Sequence, residues 1–234
     1  MLMSQLPELE PRDAYALWAP HYPAHAHNPV MLAEERAMLS MFPESLLGKR
    51  VLDAGCGSGR YLLHALRRGA TTLAGVDISS EMIQSARMEL AAWRHDACIA
   101  LAQGSLTTLP MPGEWADLTL CALAVGHVDR LEDALFALRE VTRPGGTLLC
   151  SDVHPIGAGL GWQRDFRSGG RRYAVKHAIH TVEAWHDTCA RVGLTIETMA
   201  EPALDPADVP MGAHFDPRAL SVPVVLAFRL RRPG

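Results

Sequence analysis

The stretch Val51-Leu-Asp-Ala-Gly-Cys-Gly-Ser-Gly-Arg-Tyr61 restricts the fold more than any other part of the chain. It begins as an apolar run, breaks into three glycines at alternate positions, and continues as a helical pattern to Arg68. A strand, a glycine turn and a helix start in that order form a nucleotide-cofactor loop. Gly55, Gly57 and Gly59 carry no Cβ, so a ligand can lie against the backbone. Asp53 ends the strand and aims a carboxylate at the same crevice. The next strand ends at Asp77, 22 residues after Gly55. That is close to the roughly twenty residues expected before an acid that grips ribose hydroxyls.

The charge at this loop narrows the ligand. The spacing is Gly-x-Gly-x-Gly with an acid two residues before it, not the Gly-x-Gly-x-x-Gly of dinucleotide enzymes. A pyrophosphate is repelled by Asp53, whereas a cationic ligand is attracted. S-adenosylmethionine carries a sulfonium, an ammonium and a ribose, and has no phosphate. At these residues the chain resembles the class I S-adenosylmethionine-dependent methyltransferases. Three later stretches look like that family's remaining motifs, in order: Gln103-Gly-Ser-Leu-Thr-Thr-Leu-Pro110, Ala116-Asp-Leu-Thr-Leu120 and Arg139-Glu-Val-Thr-Arg-Pro-Gly-Gly-Thr-Leu148. Together the matches cover about residues 50–153.

The resemblance implies a Rossmann-like α/β fold: a doubly wound, seven-stranded, mostly parallel sheet with an antiparallel last strand, plus an N-terminal helical cap. The periodicity agrees. Apolar strands alternating with amphipathic helices imply a buried parallel sheet. One domain is expected, with a cap over 13–42, a cofactor-binding core over 50–153, a hairpin lid over 160–177, and a last helix and strand pair over 181–231. Residues 1–12 read as a loose tail. Within the lid, Trp162 to Val175 reads as a hairpin about Gly169-Gly170.

The resemblance also implies site roles. Asp53, Gly55, Cys56, Gly57, Gly59 and Asp77 would hold the cofactor. Ile78 would pack on adenine, Leu106 would offer it a backbone amide, and Ser105 stands where many relatives carry an acid toward the adenine amino group. The Cys121 region would supply carbonyl oxygen to the ammonium, and Tyr22 would close over the methionine end. For the acceptor, Tyr15, Trp18, Trp162, Arg164 and Phe166 form the expected wall. Methyl transfer to a weakly acidic hydroxyl benefits from a base, and histidine is matched to neutral pH. His154, with Asp152 two residues earlier, is the first candidate; His127 and His21 are the others. Arg164, Arg167, Arg171 and Arg172 make the hairpin basic enough to hold a carboxylate or phosphate.

The bulk numbers exclude several classes. A formal charge of −4 argues against a general nucleic-acid binder. No apolar run reaches a bilayer-spanning length, and Met1 to Pro7 carries no leader pattern. The five cysteines lack paired spacing, as in a reducing cytoplasm. Neither His21, His25 and His27 nor His177 and His180 follow a zinc pattern, so no metal is expected. The expected partner is a small molecule, with no nucleic acid and no membrane, and the chain a cytoplasmic monomer or homodimer. The expected activity is S-adenosylmethionine-dependent methyl transfer to oxygen, nitrogen or carbon of a small acceptor. Three other readings remain: a carboxyl methyltransferase acting on an acyl-carrier-bound acid, an NAD-dependent oxidoreductase, and a regulator that binds the cofactor without catalysis.

Overall fold

The computed structural model describes residues 6–212 and 215–234. The reading of a leader-free start rests on residues 1–5 and lies outside them. Ten strands alternate with seven helices among the described residues. The strands are β1 (Glu8–Leu9), β2 (Arg50–Ala54), β3 (Thr72–Asp77), β4 (Cys98–Gln103), β5 (Ala116–Ala122), β6 (Thr142–Val153), β7 (Asp165–Ser168), β8 (Arg171–Val175), β9 (Thr195–Ala200) and β10 (Val225–Arg231). The helices are α1 (Pro11–Trp18), α2 (Pro29–Met41), α3 (Arg60–Arg67), α4 (Ser80–Glu89), α5 (Leu131–Val141), α6 (Ile156–Gly159) and α7 (Val182–Val192).

Seven strands form the main sheet in the order β4-β3-β2-β5-β6-β10-β9. β10 runs antiparallel to both of its neighbours, and every other pairing is parallel. The chain leaves β2 toward one edge and returns at β5 toward the other. The β2–β5 junction is therefore the topological switch point, where open α/β sheets bind ligands at the carboxyl ends of their strands. Both faces are covered. Ala33, Ala37 and Met38 of α2, Leu62 and Leu66 of α3, and Ile83 and Ala86 of α4 pack with Val51, Leu118 and Ala227. Leu135 and Leu138 of α5 and Trp185 and Cys189 of α7 pack with Leu148, Cys150 and Phe228 on the other face.

Local sequence sets the helix ends. Asn28 accepts from the Met31 amide, with Pro29 at the first helical position of α2. Ser79 caps α4 through the Met82 amide, and Thr181 caps α7 through the Ala184 amide. Gly193, at φ 72°, ends α7 in the left-handed conformation.

The N-terminal reading is corrected. Residues 8–9 are not a loose tail: they pair in parallel with Ala174 and Val175 as the third strand of a small sheet, β1-β8-β7. Lys176 donates its amide to Leu9 O, and its ammonium pairs with Glu10. The β7–β8 hairpin turns at Gly169-Gly170 as its sequence indicates, with φ of 55° and 77°. Its basic face is not a single lid surface. Arg167, Arg171 and Arg172 are exposed, and Arg172 is paired with Asp165. Only Arg164 turns inward.

Candidate functional site

The glycine loop leaves β2 at the switch point. A Cβ on Gly55 would sit 2.5 Å from the Ala124 Cβ, so this backbone admits no side chain where β2 and β5 diverge. Gly57 is different: a Cβ there would meet only Tyr22 Cε1, at 3.8 Å. Asp77 fixes the loop. Its Oδ2 accepts from the Gly57 amide at 2.8 Å and its Oδ1 from the Ser79 amide at 2.9 Å. Burial raises the Asp77 pKa, while the amides of Ser79, Gly57 and Ile78 pull it down.

Two cavities open above these strand ends. The smaller, about 110 Å³, is lined by Gly55, Gly57, Asp77, Ile78, Ser105 and Leu106 on the sheet side. Tyr15 and Tyr22 cover it from the N-terminal helices. The larger, about 370 Å³, is lined mainly by apolar groups including Trp18, Val30, Met31, Trp162 and Val224. The two share Tyr22, Leu123 and Arg164. They are neighbouring chambers with one cation at the junction.

The junction is built from a buried polar chain. Glu34, on α2, is fully buried. Its Oε2 accepts from Arg60 Nη2 at 2.7 Å, and its Oε1 from the Tyr61 hydroxyl at 2.9 Å and the Ser151 hydroxyl at 2.6 Å. Ser151 Oγ in turn accepts from the Leu123 amide at 3.1 Å. Leu123 has φ 53°, a conformation that an L residue adopts only under constraint. Its carbonyl accepts from Arg164 Nη1 at 2.7 Å. An arginine has five N–H donors. That single bond leaves Arg164 with donors toward the chambers, and its guanidinium also lies 5.8 Å above the Tyr15 ring. The acids close by are engaged: Asp165 with Arg172, and Asp152 beside His177.

Several expected residues take other places. Cys121 is fully buried in the sheet and lines neither chamber; Ala122, Leu123 and Ala124 stand there instead. Cys56 and Gly59 lie behind the loop, the first in the core and the second at the start of α3. Phe166 is no chamber wall. It is buried and stacks on Trp18 at 4.9 Å between ring centroids, backing the residue that does form the wall. His21 is exposed and borders neither chamber. His154 does not meet Asp152. Its Nδ1 accepts from the Ile156 amide at 3.2 Å and its Nε2 faces Glu201 Oε1 at 3.0 Å. His127 is held at both nitrogens, by Lys176 O at 3.1 Å and the Tyr15 hydroxyl at 3.0 Å. Burial, then the Arg164 charge and His177, hold its pKa well below the usual imidazole range.

Two residues were missed from sequence. Glu34 carried a signal, because it shares the helical face of Met31, Met38 and Met41 and so puts a charge on an apolar stripe. His177 carried none, since only the fold places it beside Asp152, at 3.3 Å. Among the described residues no group of three His, Cys, Asp or Glu is arranged to hold a metal ion. No helix of the described residues is long and apolar enough to cross a membrane.

The methyltransferase domain family matches residues 52–150, from β2 to β6. An S-adenosylmethionine-dependent methyltransferase from Mesorhizobium loti superposes with a TM-score of 0.69 at 27% identity, covering 86% of this chain and 98% of that one. Over residues 52–150 the chain carries a methyltransferase domain similar to those of the class I S-adenosylmethionine-dependent methyltransferases. Curated relatives are also similar over this domain. The malonyl-[acyl-carrier protein] O-methyltransferase of Enterobacter lignolyticus is 33% identical over 58% of this chain, and the ubiquinone biosynthesis O-methyltransferase of Thiobacillus denitrificans 29% identical over 60%. The chain spans only 50% and 59% of the length of those two relatives.

The residues present suit the cofactor of such methyltransferases. Asp53 is almost fully buried behind the loop, and its Oδ1 has no hydrogen-bond partner among the described residues. Two carboxylates at the glycine loop, one of them unsatisfied, suit a cationic ligand with a ribose. They do not suit a pyrophosphate.

Proposed function

We propose that this chain transfers a methyl group from S-adenosylmethionine to an oxygen of a small anionic acceptor. The observation that carries the reading is the pair of chambers joined at Arg164. One has the glycine backbone and Asp77 of a cofactor site; the other has the room and apolar walls of an acceptor site. Asp77 would take the ribose hydroxyls. Ile78, Ser105 and Leu106 would border the adenine, and Tyr15 and Tyr22 would cover the reacting end. The cofactor supplies a methyl group already activated by the positive charge on sulfur. The protein's own tasks are to align the acceptor and exclude water. Trp18, Trp162 and the apolar wall exclude water, and the Arg164 guanidinium offers a carboxylate its remaining donors.

The likeness to O-methyltransferases supports oxygen as the acceptor atom. The acyl-carrier-bound acid is the second reading, supported by the malonyl relatives. A nicotinamide oxidoreductase is disfavoured by the glycine spacing, by Asp53 before the loop and by the antiparallel β10. A regulator without catalysis has no use for the second chamber.

Calorimetry tests the cofactor. S-adenosylhomocysteine should bind and NAD should not; the reverse result ends this reading. Asp77→Ala should weaken S-adenosylhomocysteine by about 1–3 kcal/mol, because a charge-assisted pair of hydrogen bonds is lost. Unchanged affinity in a folded variant would leave Asp77 as a loop brace alone.

Arg164→Ala tests the acceptor. With labelled cofactor and a set of hydroxy acids, the acceptor KM should rise about ten- to a hundredfold while cofactor affinity holds. Loss of S-adenosylhomocysteine affinity instead would assign Arg164 to the cofactor's own carboxylate.

A further inference from the structure

Three histidines border the chambers, and only one has a ring nitrogen to spare. His154 and His127 have both nitrogens engaged, as described above. His177 lines the larger chamber. Its Nε2 lies 3.3 Å from Asp152 Oδ1, and its Nδ1 is buried without a partner among the described residues. A carboxylate can only accept, so this contact favours the ring proton on Nε2 and a lone pair on Nδ1. Asp152 is itself held, with Oδ1 accepting the Val153 amide at 2.8 Å.

The surrounding backbone is shaped to this pair. A Cβ on Gly126 would lie 1.9 Å from His177 Cε1 and 2.6 Å from Asp152 Oδ2. The two side chains therefore occupy the space that any residue but glycine would need. Ala178 donates its amide to Gly126 O at 2.7 Å, which binds the His177 segment to the loop after β5. An unpartnered buried acceptor is destabilising. The His177 ring borders the larger chamber, and an occupant's hydroxyl that reached Nδ1 would satisfy it.

We propose that His177, oriented by Asp152, is the general base of the methyl transfer, and that the acceptor is a hydroxy acid. The inference rests on the methyltransferase reading above and names its acceptor class. The acceptor oxygen gives its proton to Nδ1 and an electron pair to the methyl carbon, whose bond to sulfur breaks. Sulfur leaves as a neutral thioether. The imidazolium formed is balanced by the Asp152 carboxylate and later loses its proton to water. A carboxylate acceptor has no proton to give and needs no base, so this pair favours a hydroxyl as the methylated group. The acid function of the same molecule is left for Arg164.

The probe is 4-hydroxy-3-nitrobenzoate, whose ionised hydroxyl absorbs visible light, added to the full chain with S-adenosylhomocysteine bound. No methyl transfer takes place in this measurement. The phenolate should form at a pH lower by about one unit or more in the wild type than in His177→Ala, because the proton passes to an imidazole held beside it. Asp152, His127, Tyr15 and Arg164 face this corner and remain in both chains, so their charges do not make the difference. Asp152→Asn should shift the midpoint toward that of His177→Ala.

Turnover gives the second reading. With 4-hydroxybenzoate and S-adenosylmethionine, His177→Ala should lose about 10²–10⁴-fold in kcat, with KM little changed. Added imidazole should restore part of the loss, and the more acidic nitro acceptor should show a smaller loss. If His177→Ala fails to fold, His177→Gln replaces it in both measurements. The same midpoint in both chains, or failure of the probe to bind the wild type, overturns the proposal. Failure of S-adenosylhomocysteine to bind overturns the methyltransferase reading first, and so is told apart.

Discussion

Glu34→Ala should lower the unfolding free energy by about 3–5 kcal/mol, the largest loss expected of any single change outside the apolar core. The reason is what the substitution leaves behind. Arg60 keeps a side chain only 9% exposed and loses the carboxylate 2.7 Å away. Glu35 remains on the other guanidinium nitrogen at 3.1 Å, but it is already shared with His64. The Tyr61 and Ser151 hydroxyls lose their acceptor as well. Buried donors without partners are costly, and here three side chains are orphaned together. Urea unfolding of the wild type and the variant measures the difference. A loss under about 1 kcal/mol would mean that water reaches this cluster and that the buried network is weak.

The same variant tests the link to the site. The Leu123 amide is shared between Ser151 O at 2.9 Å and Ser151 Oγ at 3.1 Å, and Leu123 holds Arg164 through its carbonyl. Positive φ at a leucine persists only while its surroundings enforce it. A folded Glu34→Ala chain should therefore bind acceptor less well than wild type, although Glu34 touches neither chamber. Replacing Glu34 and Arg60 together by apolar residues should recover part of the stability, since no buried guanidinium is then left unpaired, while the Tyr61 and Ser151 hydroxyls still lack their acceptor.

How much of this was legible depended on how local the cause was. The order of strands and helices was readable because each apolar run and each cap is encoded within a few residues. The motif glycines were readable because their backbone takes positive φ, at 80°, 51° and 94°, and Gly55 has no room for a Cβ beside Ala124. Asp77 was readable because one strand fixes its distance from the loop. Partners contributed from distant segments were not. Glu8–Leu9 is too short to announce a strand, and its edge is supplied by Ala174 and Val175. Asp152 was paired by reading with His154, its neighbour in sequence. The strand ends there, and α6 draws the His154 ring toward the Ile156 amide. The hairpin then returns His177 to Asp152. Phe166 and Arg164 are two apart on one segment, yet one is buried against Trp18 and the other lines both chambers. Aromatic character alone did not separate wall from backing.

Asp53 gives the second large effect, and its sign runs against the usual carboxylate. Burial raises its pKa from 3.8 to about 8; the Arg60 charge lowers it, and Asp77 and Glu34 add to the rise. Below the unfolded value both states are protonated and Asp53 has no influence. Between about pH 4 and 8 the unfolded chain ionises this group while the folded chain keeps its proton. Stability therefore falls with rising pH across that window and is level above it. At about 1.4 kcal/mol for every pH unit of the window, the loss reaches several kcal/mol. Asp53→Asn removes the ionisation, so the ligand-free variant should be more stable than wild type at pH 9 and nearly equal to it at pH 4. A cationic cofactor acts in the opposite direction. Its charge favours ionised Asp53, so binding near neutral pH should release a proton, which calorimetry detects as heats that vary with the buffer. The variant should bind S-adenosylmethionine more weakly than wild type and release no proton. Equal urea midpoints at pH 9, or the same proton release in both chains, would show that Asp53 is ionised in the folded protein before any ligand arrives. Asp53 destabilises the ligand-free fold because burial, with one oxygen unpartnered among the described residues, opposes its ionisation, and a positive charge bound beside it offsets part of that cost.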